Sequence, residues 1–130
     1  MNSISINEVT GKIINVAMHI HRKLGPGLLE SVYQAILAYE LRKGGLDVQS
    51  EAAIPVTWDN VRIDLGFRAD LIVENSVIVE LKSLEEVAPV HKKQVLTYLK
   101  VTGLSVGLLI NFGEATLKDG ITRLVHHFED

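Results

Sequence analysis

Three side chains invite a chemical reading first: Asp70, Glu80 and Lys82. They sit in the stretch ADLIVENSVIVELK, where two apolar runs, LIV and VIV, flank the polar turn ENS. If residues 74 to 76 make the turn, Val73 pairs with Val77, and Asp70 falls opposite Glu80 on one face of a hairpin. A two-residue turn would set Asp70 against Leu81, on the wrong face unless a bulge intervened. In the first register, two hard oxygen ligands on adjacent strands suit one Mg²⁺, with water completing its octahedron. Lys82, two residues on, points the same way. It can orient or help deprotonate a water, or stabilise charge building on a phosphate. Taken alone, E-x-K is common and reads first as a surface ion pair on a solvated strand; it is Asp70 at matched register that argues for chemistry.

Further candidates lie on helices. Gly27-Leu-Leu-Glu30-Ser-Val-Tyr33 opens the second predicted helix. Glu30 and Tyr33, three apart, occupy neighbouring surface. A first-turn carboxylate such as Glu30 also suits a helix N-terminus on electrostatic grounds alone. Tyr33 shares core spacing with Ile36 and Leu37 and reads as packing. Gln94 and Tyr98, four apart, share a face of the third helix, although a mid-helix Gln is usually solvated. Arg68 falls on the Asp70 side of the strand alternation, and His91, Lys92 and Lys93 lie near the start of the Gln94 helix. Together they suggest a short rim for contacting phosphates, though HKK equally suits a solvated helix start. His126-His127 reads as no site, since adjacent strand residues face opposite ways.

These side chains need elements to hold them. Ile6, Val9, Ile13, Val16, Ala17, Ile20 and Leu24 follow helical spacing, and Ser5 with Glu8 matches a capping box. LGPG, residues 24 to 27, breaks that helix. A second helix is expected from about Leu28 to Lys43, ended by Gly44-Gly45. Residues 46 to 58 read as extended, interrupted near Pro55, with a turn at Asp59-Asn60. From Val61 to Val73 the odd positions are mostly apolar, which predicts a strand with one core face. Val77 to Lys82 continues as a strand, a third helix follows from Pro89 to about Val101, and LSVGLLIN, residues 104 to 111, reads as buried strand. A last strand is expected near 121 to 128. The order α-α-β-β-β-α-β implies an α/β or α+β architecture.

Composition sets bounds. A chain of 130 residues, 47% hydrophobic and 22% charged, fits one compact folded domain over 1–130. The formal net charge of −3 is not that of a protein coating nucleic acid by bulk charge, so a polyanion site must be local or helped by a cation. With no cysteine, disulfides, thiolate catalysis and cysteine-ligated zinc are excluded, and a reducing cytoplasm is the natural compartment. The N-terminus does not read as a signal peptide, and the apolar runs are too short to span a bilayer, so no membrane partner is expected.

Assembled, the motifs resemble a known pattern. Asp70-x9-Glu80-x-Lys82 is similar to the signature of the PD-(D/E)XK nuclease superfamily, and Gln94-x3-Tyr98 to the Q-x-x-x-Y motif of its RecB-like branch. Gly27-x-x-Glu30-x-x-Tyr33 resembles the motif of the GxxExxY family, short prokaryotic proteins placed in that superfamily. Residue 69 is Ala where the superfamily's naming pattern has Pro. The resemblance implies a restriction-endonuclease-like αβββαβ core with catalysis at one edge of a mixed sheet. It implies Asp70, Glu80 and Glu30 as ligands of Mg²⁺, with Mn²⁺ as substitute, and the Leu81 carbonyl as a further ligand. Lys82 would be the catalytic lysine, Gln94 would support the site or contact the substrate backbone, and Tyr98 and Tyr33 would be supporting residues.

Two functions follow as expectations. One is Mg²⁺-dependent hydrolysis of nucleic-acid phosphodiesters, with DNA favoured over RNA and a homodimer as the usual arrangement for a minimal domain cutting duplex DNA. The other is a nuclease-fold module with weak or no catalysis that binds nucleic acid or a protein partner. The three clustered carboxylates expected here favour the enzyme, because a binding module does not need them.

Overall fold

The computed structural model describes residues 4–127. Helix α1, Ile6–Leu24, buries Val9, Ile13, Ala17 and Ile20 along one face. The Ser5 hydroxyl caps it by accepting from the Glu8 amide at 3.2 Å. Helix α2, Glu30–Lys43, starts two residues later than expected. The Tyr33 hydroxyl holds the preceding segment open as a loop, donating to the Gly25 carbonyl at 2.5 Å and accepting from the Leu28 amide at 3.2 Å. The strands and remaining helices are β1 Val48–Trp58, β2 Val61–Val73, β3 Val77–Lys82, α3 Pro89–Thr102, β4 Val106–Asn111, a short α4 Leu117–Gly120, and β5 Ile121–Val125. The α4 turn had no sequence signal, and the expected last strand stops at Val125; residue 128 lies outside the described residues.

The five strands form one mixed sheet in chain order, with β3 at its centre. β3 and β4 run parallel and the other pairs antiparallel. The α3 crossover joins the parallel pair, as parallel strands require. Helices α1 and α2 pack on one face with Val79, Leu81, Leu108 and Ile110. Helix α3 covers the other face through Tyr98 and Leu99 against Ile78. β3 is therefore buried on both sides, which is why its sequence VIV lacks polar alternation.

The long β1–β2 hairpin departs from the single core face expected of it. Leu71 and Val73 join the core under α1 and α2, but Ala69 joins the core against α3. Val48 and Ile54 divide the same way on β1. In unbroken strands, residues an even number apart share a face, so both strands switch between these points. The switch lies at Glu51 and Asp70, bracketed by the pairs Ser50↔Leu71 and Ala52↔Ala69. Glu51 there takes a left-handed backbone, φ +51°. Farther out, Pro55 faces three β2 residues, 64 to 66, between the pairs Ile54↔Phe67 and Val56↔Ile63. A Cβ at Gly66 would lie 2.5 Å from the Ile54 carbonyl oxygen. Beyond this bulge the hairpin leaves the core, and Trp58, Val61 and Ile63, read as core positions or strand ends from alternation, are exposed.

Candidate functional site

The β2–β3 ladder runs through Val73↔Val77, Ile72↔Ile78 and Leu71↔Val79, then stops. The three-residue turn thus sets Asp70 level with Glu80. At that level side chains replace the backbone ladder. The Asp70 amide donates to Glu80 Oε1 at 3.0 Å, and the Leu81 amide donates to Asp70 Oδ2 at 2.8 Å. The two strands part, and the carboxylates fill the opening. Both lie on inner strands, β2 and β3, rather than on an outer edge of the sheet.

Glu80 is only 5% exposed and Asp70 is half-buried. Burial, and then the Asp70 carboxylate, push the Glu80 pKa from 4.5 up to about 8. Asp70 is raised chiefly by burial, with further contributions from Glu51 and Glu30; the Leu81 amide opposes them. Glu80 therefore holds its proton far more tightly than an ordinary glutamate does. Among the described residues the one ion pair within 4.0 Å is Arg62–Asp64, on the exposed hairpin. Lys82 is therefore not tied up in a surface pair with Glu80.

Lys82 opens instead onto a cleft of about 530 Å³ between β2 and α3, lined also by His91, Lys93, Gln94 and Tyr98. Gln94 and Tyr98 line the cleft together from α3. Burial and the charges of Glu80 and Asp70 push that phenol up to about 12, so it stays protonated. His91 Nδ1 accepts from the Ala88 amide at 3.0 Å, which caps α3 and leaves Nε2 as the other ring nitrogen.

Other sequence candidates lie elsewhere. Glu30 is the exposed first residue of α2, which packs on the face of the sheet away from the cleft. Asp70 senses its charge, but among the described residues no group of three His, Asp or Glu side chains gathers as a metal site. Asp70 and Glu80 stand together, and Glu30 and Glu51 lie near enough for their charges to raise the Asp70 pKa. Arg68 does not line the cleft: the switch at Asp70 turns its neighbours Phe67 and Ala69 toward α3, and its guanidinium donates to the Glu51 carbonyl at 3.2 Å. Lys92 also lies off the cleft, exposed on α3. Tyr33 is fully buried, its ring stacked on Phe112 at 4.3 Å. Through its hydroxyl it shapes the loop from Gly25 to Leu28 that leads into Glu30.

Four residues at or beside the site escaped the sequence reading. Glu51 stands level with Asp70 on the other side of β2 from Glu80. Gln34 bridges helix and sheet, donating to Glu51 Oε1 at 3.0 Å and to the Asp70 carbonyl at 3.3 Å. Ser83, next to Lys82, donates to the Leu28 carbonyl at 2.6 Å. Asn111, paired with Lys82 across β3 and β4, is fully buried. Its side chain accepts from the Leu84 amide at 2.9 Å and the Gly113 amide at 3.1 Å, and donates to the Leu84 carbonyl at 2.9 Å. The one signal available was a polar residue closing the apolar run VGLLI. Asn111→Ala would leave these partly buried backbone groups without their protein partner, at about 1–3 kcal/mol each where water cannot reach them. The expected result is a drop in denaturant midpoint with m unchanged. A variant as stable as wild type would show that water replaces the amide.

A mixed sheet flanked by helices, opening at its centre on paired carboxylates and a lysine, has the restriction-endonuclease-like architecture. The chain belongs to the PD-(D/E)XK nuclease superfamily, whose family model matches residues 7–124. A solved structure described as "Crystal structure of SSO0001" is similar over 93% of this chain and 79% of its own, at 16% identity and a TM-score of 0.43. No curated protein matches the chain in sequence.

Proposed function

We propose that the protein is a Mg²⁺-dependent nuclease hydrolysing phosphodiester bonds, with DNA as the first substrate to test. The observation that supports this best is the parting of β2 and β3 around Asp70 and Glu80, beside an unpaired Lys82. Each carboxylate spends one oxygen on a backbone amide, which orients it and leaves the other for a cation. Burying two carboxyl groups together without a cation costs free energy, and the raised Glu80 pKa marks that cost. This donor set fits Mg²⁺, which takes one or two carboxylates and keeps several waters. When bound, a divalent cation supplies Lewis-acid stabilisation of phosphate charge and makes water more acidic. Lys82 holds the phosphate from the cleft side, orients the attacking water and stabilises the charge that develops on the phosphate oxygens. Tyr98, kept protonated by burial and the nearby carboxylates, forms the cleft wall with Gln94. Glu30 acts through water from the start of α2, and the Gly27-x-x-Glu30-x-x-Tyr33 motif supports a kinship with the GxxExxY group.

The rival reading, a binding module without turnover, draws on the acidic chain and on the absence of a three-residue metal cluster among the described residues. A panel of single-stranded, duplex and flapped DNA and RNA, incubated with Mg²⁺ or Mn²⁺, separates the two. Cleavage that stops with EDTA and with Asp70→Asn is the expected result. Metal-dependent binding without any cleavage would favour the module.

A further inference from the structure

The cleft beside Lys82 has two kinds of wall. Lys82, Lys93 and His91 make one of them basic. Phe67 from β2 and Val90 from the first turn of α3 make the other apolar, at 41% and 61% exposed. The Phe67 ring leans on Tyr98, centroids 5.1 Å apart and planes at 49°, so one flank is braced while the cleft side stays open. The core below does not need this ring, because Ile54, Ala69, Tyr98 and Leu99 already close it. Phe67 faces the cleft because of the strand switch at Glu51 and Asp70.

The charges near the cleft are few. Proteins that hold duplexes by their phosphates neutralise many of them with Lys and Arg. Here the chain carries a net charge of −3, Arg68 and Lys92 lie off the cleft, and two ammonium groups remain. Stacking needs no charge and contributes about 1–3 kcal/mol per base on an aromatic ring. A cleft of about 530 Å³ has room for a nucleotide. Resting on the nuclease reading of Asp70, Glu80 and Lys82, we propose that Phe67 is a stacking platform for one unpaired base beside the phosphate at Lys82. The substrate is then single-stranded nucleic acid or the unpaired end of a duplex.

The test uses oligonucleotides carrying 2-aminopurine, single-stranded and fully paired, first bound in Ca²⁺ and then cleaved in Mg²⁺. Stacking should quench the single-stranded probe and leave the duplex probe unchanged. Phe67→Ala should weaken single-strand binding roughly fivefold to a hundredfold. It should lower kcat/KM on that strand by a similar factor, with an unchanged melting curve, and Phe67→Trp should restore both. Cleavage that depends on Lys82 but ignores Phe67, or that prefers intact duplex, overturns the stacking proposal and leaves the nuclease reading standing. Phe67-dependent quenching with no cleavage in Mg²⁺ or Mn²⁺ does the reverse. Neither binding nor cleavage sinks both. Phe67-dependent self-association in sedimentation, without nucleic-acid binding, assigns the ring to contact with a second copy of the chain and overturns the proposal.

Discussion

Lys82→Ala is expected to abolish hydrolysis while leaving the protein folded. The Lys82 side chain is half-buried at the mouth of the cleft and makes no ion pair within 4.0 Å among the described residues, so little folding energy depends on its charge. An exposed pair with Glu80 would contribute at most about 1 kcal/mol, and the geometry does not supply even that. Catalysis is different, because the ammonium meets charge that develops only as the phosphodiester breaks. Loss of a single electrostatic stabiliser in other enzymes lowers the rate on the order of 10²–10³-fold. The loss should fall on kcat more than on KM, since Lys93 and the apolar wall still hold the substrate. Removing Lys82 also removes a nearby positive charge that lowers the pKa values of Asp70 and Glu80, so the two carboxyl groups should hold their proton more tightly. Paired cleavage assays and thermal melts of wild type and Lys82→Ala measure both effects. A well-folded variant that cleaves at the wild-type rate defeats the assignment.

Metal-free protein should lose stability as pH rises from about 5 to 9, and Glu80→Gln should flatten that slope. Folding raises the Glu80 pKa from 4.5 to about 8, so the folded state binds this proton more tightly than the unfolded state does. The resulting stabilisation is full below about 4.5 and is lost as pH climbs through about 8. At about 1.4 kcal/mol for each step on the pH scale, the loss is on the order of a few kcal/mol. Glutamine keeps an oxygen for the Asp70 amide and carries no charge, so its variant should melt higher than wild type near pH 8 without metal. Mg²⁺ should invert the order. A cation that replaces the Glu80 proton stabilises only the folded state, by about 2.7 kcal/mol at a hundredfold excess over its dissociation constant. Its affinity should rise with pH up to about 8, because the proton competes with it. Glu80→Gln and Asp70→Asn should lose that gain. An equal Mg²⁺-induced rise in Tm for wild type and Glu80→Gln would place the bound ion elsewhere.

What the sequence determined by itself is local in origin. Apolar period and the Ser5 cap specified α1, Pro89 marked the start of α3, and Asp59-Asn60, both at positive φ, marked the hairpin turn. The level pairing of Asp70 with Glu80 was legible for the same reason. It depends on the length of the turn at residues 74 to 76, which a few consecutive residues settle. The tertiary structure decided the rest. Glu51 adopts its left-handed backbone without the Gly or Asn that would advertise it, because Gln34 and Arg68 grip its side chain and carbonyl from elsewhere in the fold. The switch at Glu51 and Asp70 reverses the facing of both long strands. It sends Phe67 to the cleft and Arg68 away from it, against a strand alternation that predicted the opposite. Asn111 and Gln34 work through groups that are distant in the chain, so no spacing could reveal them. Glu30 was readable as a motif, but its distance from Glu80 depends on how α2 packs on the sheet, and packing is a property of the whole core rather than of any segment.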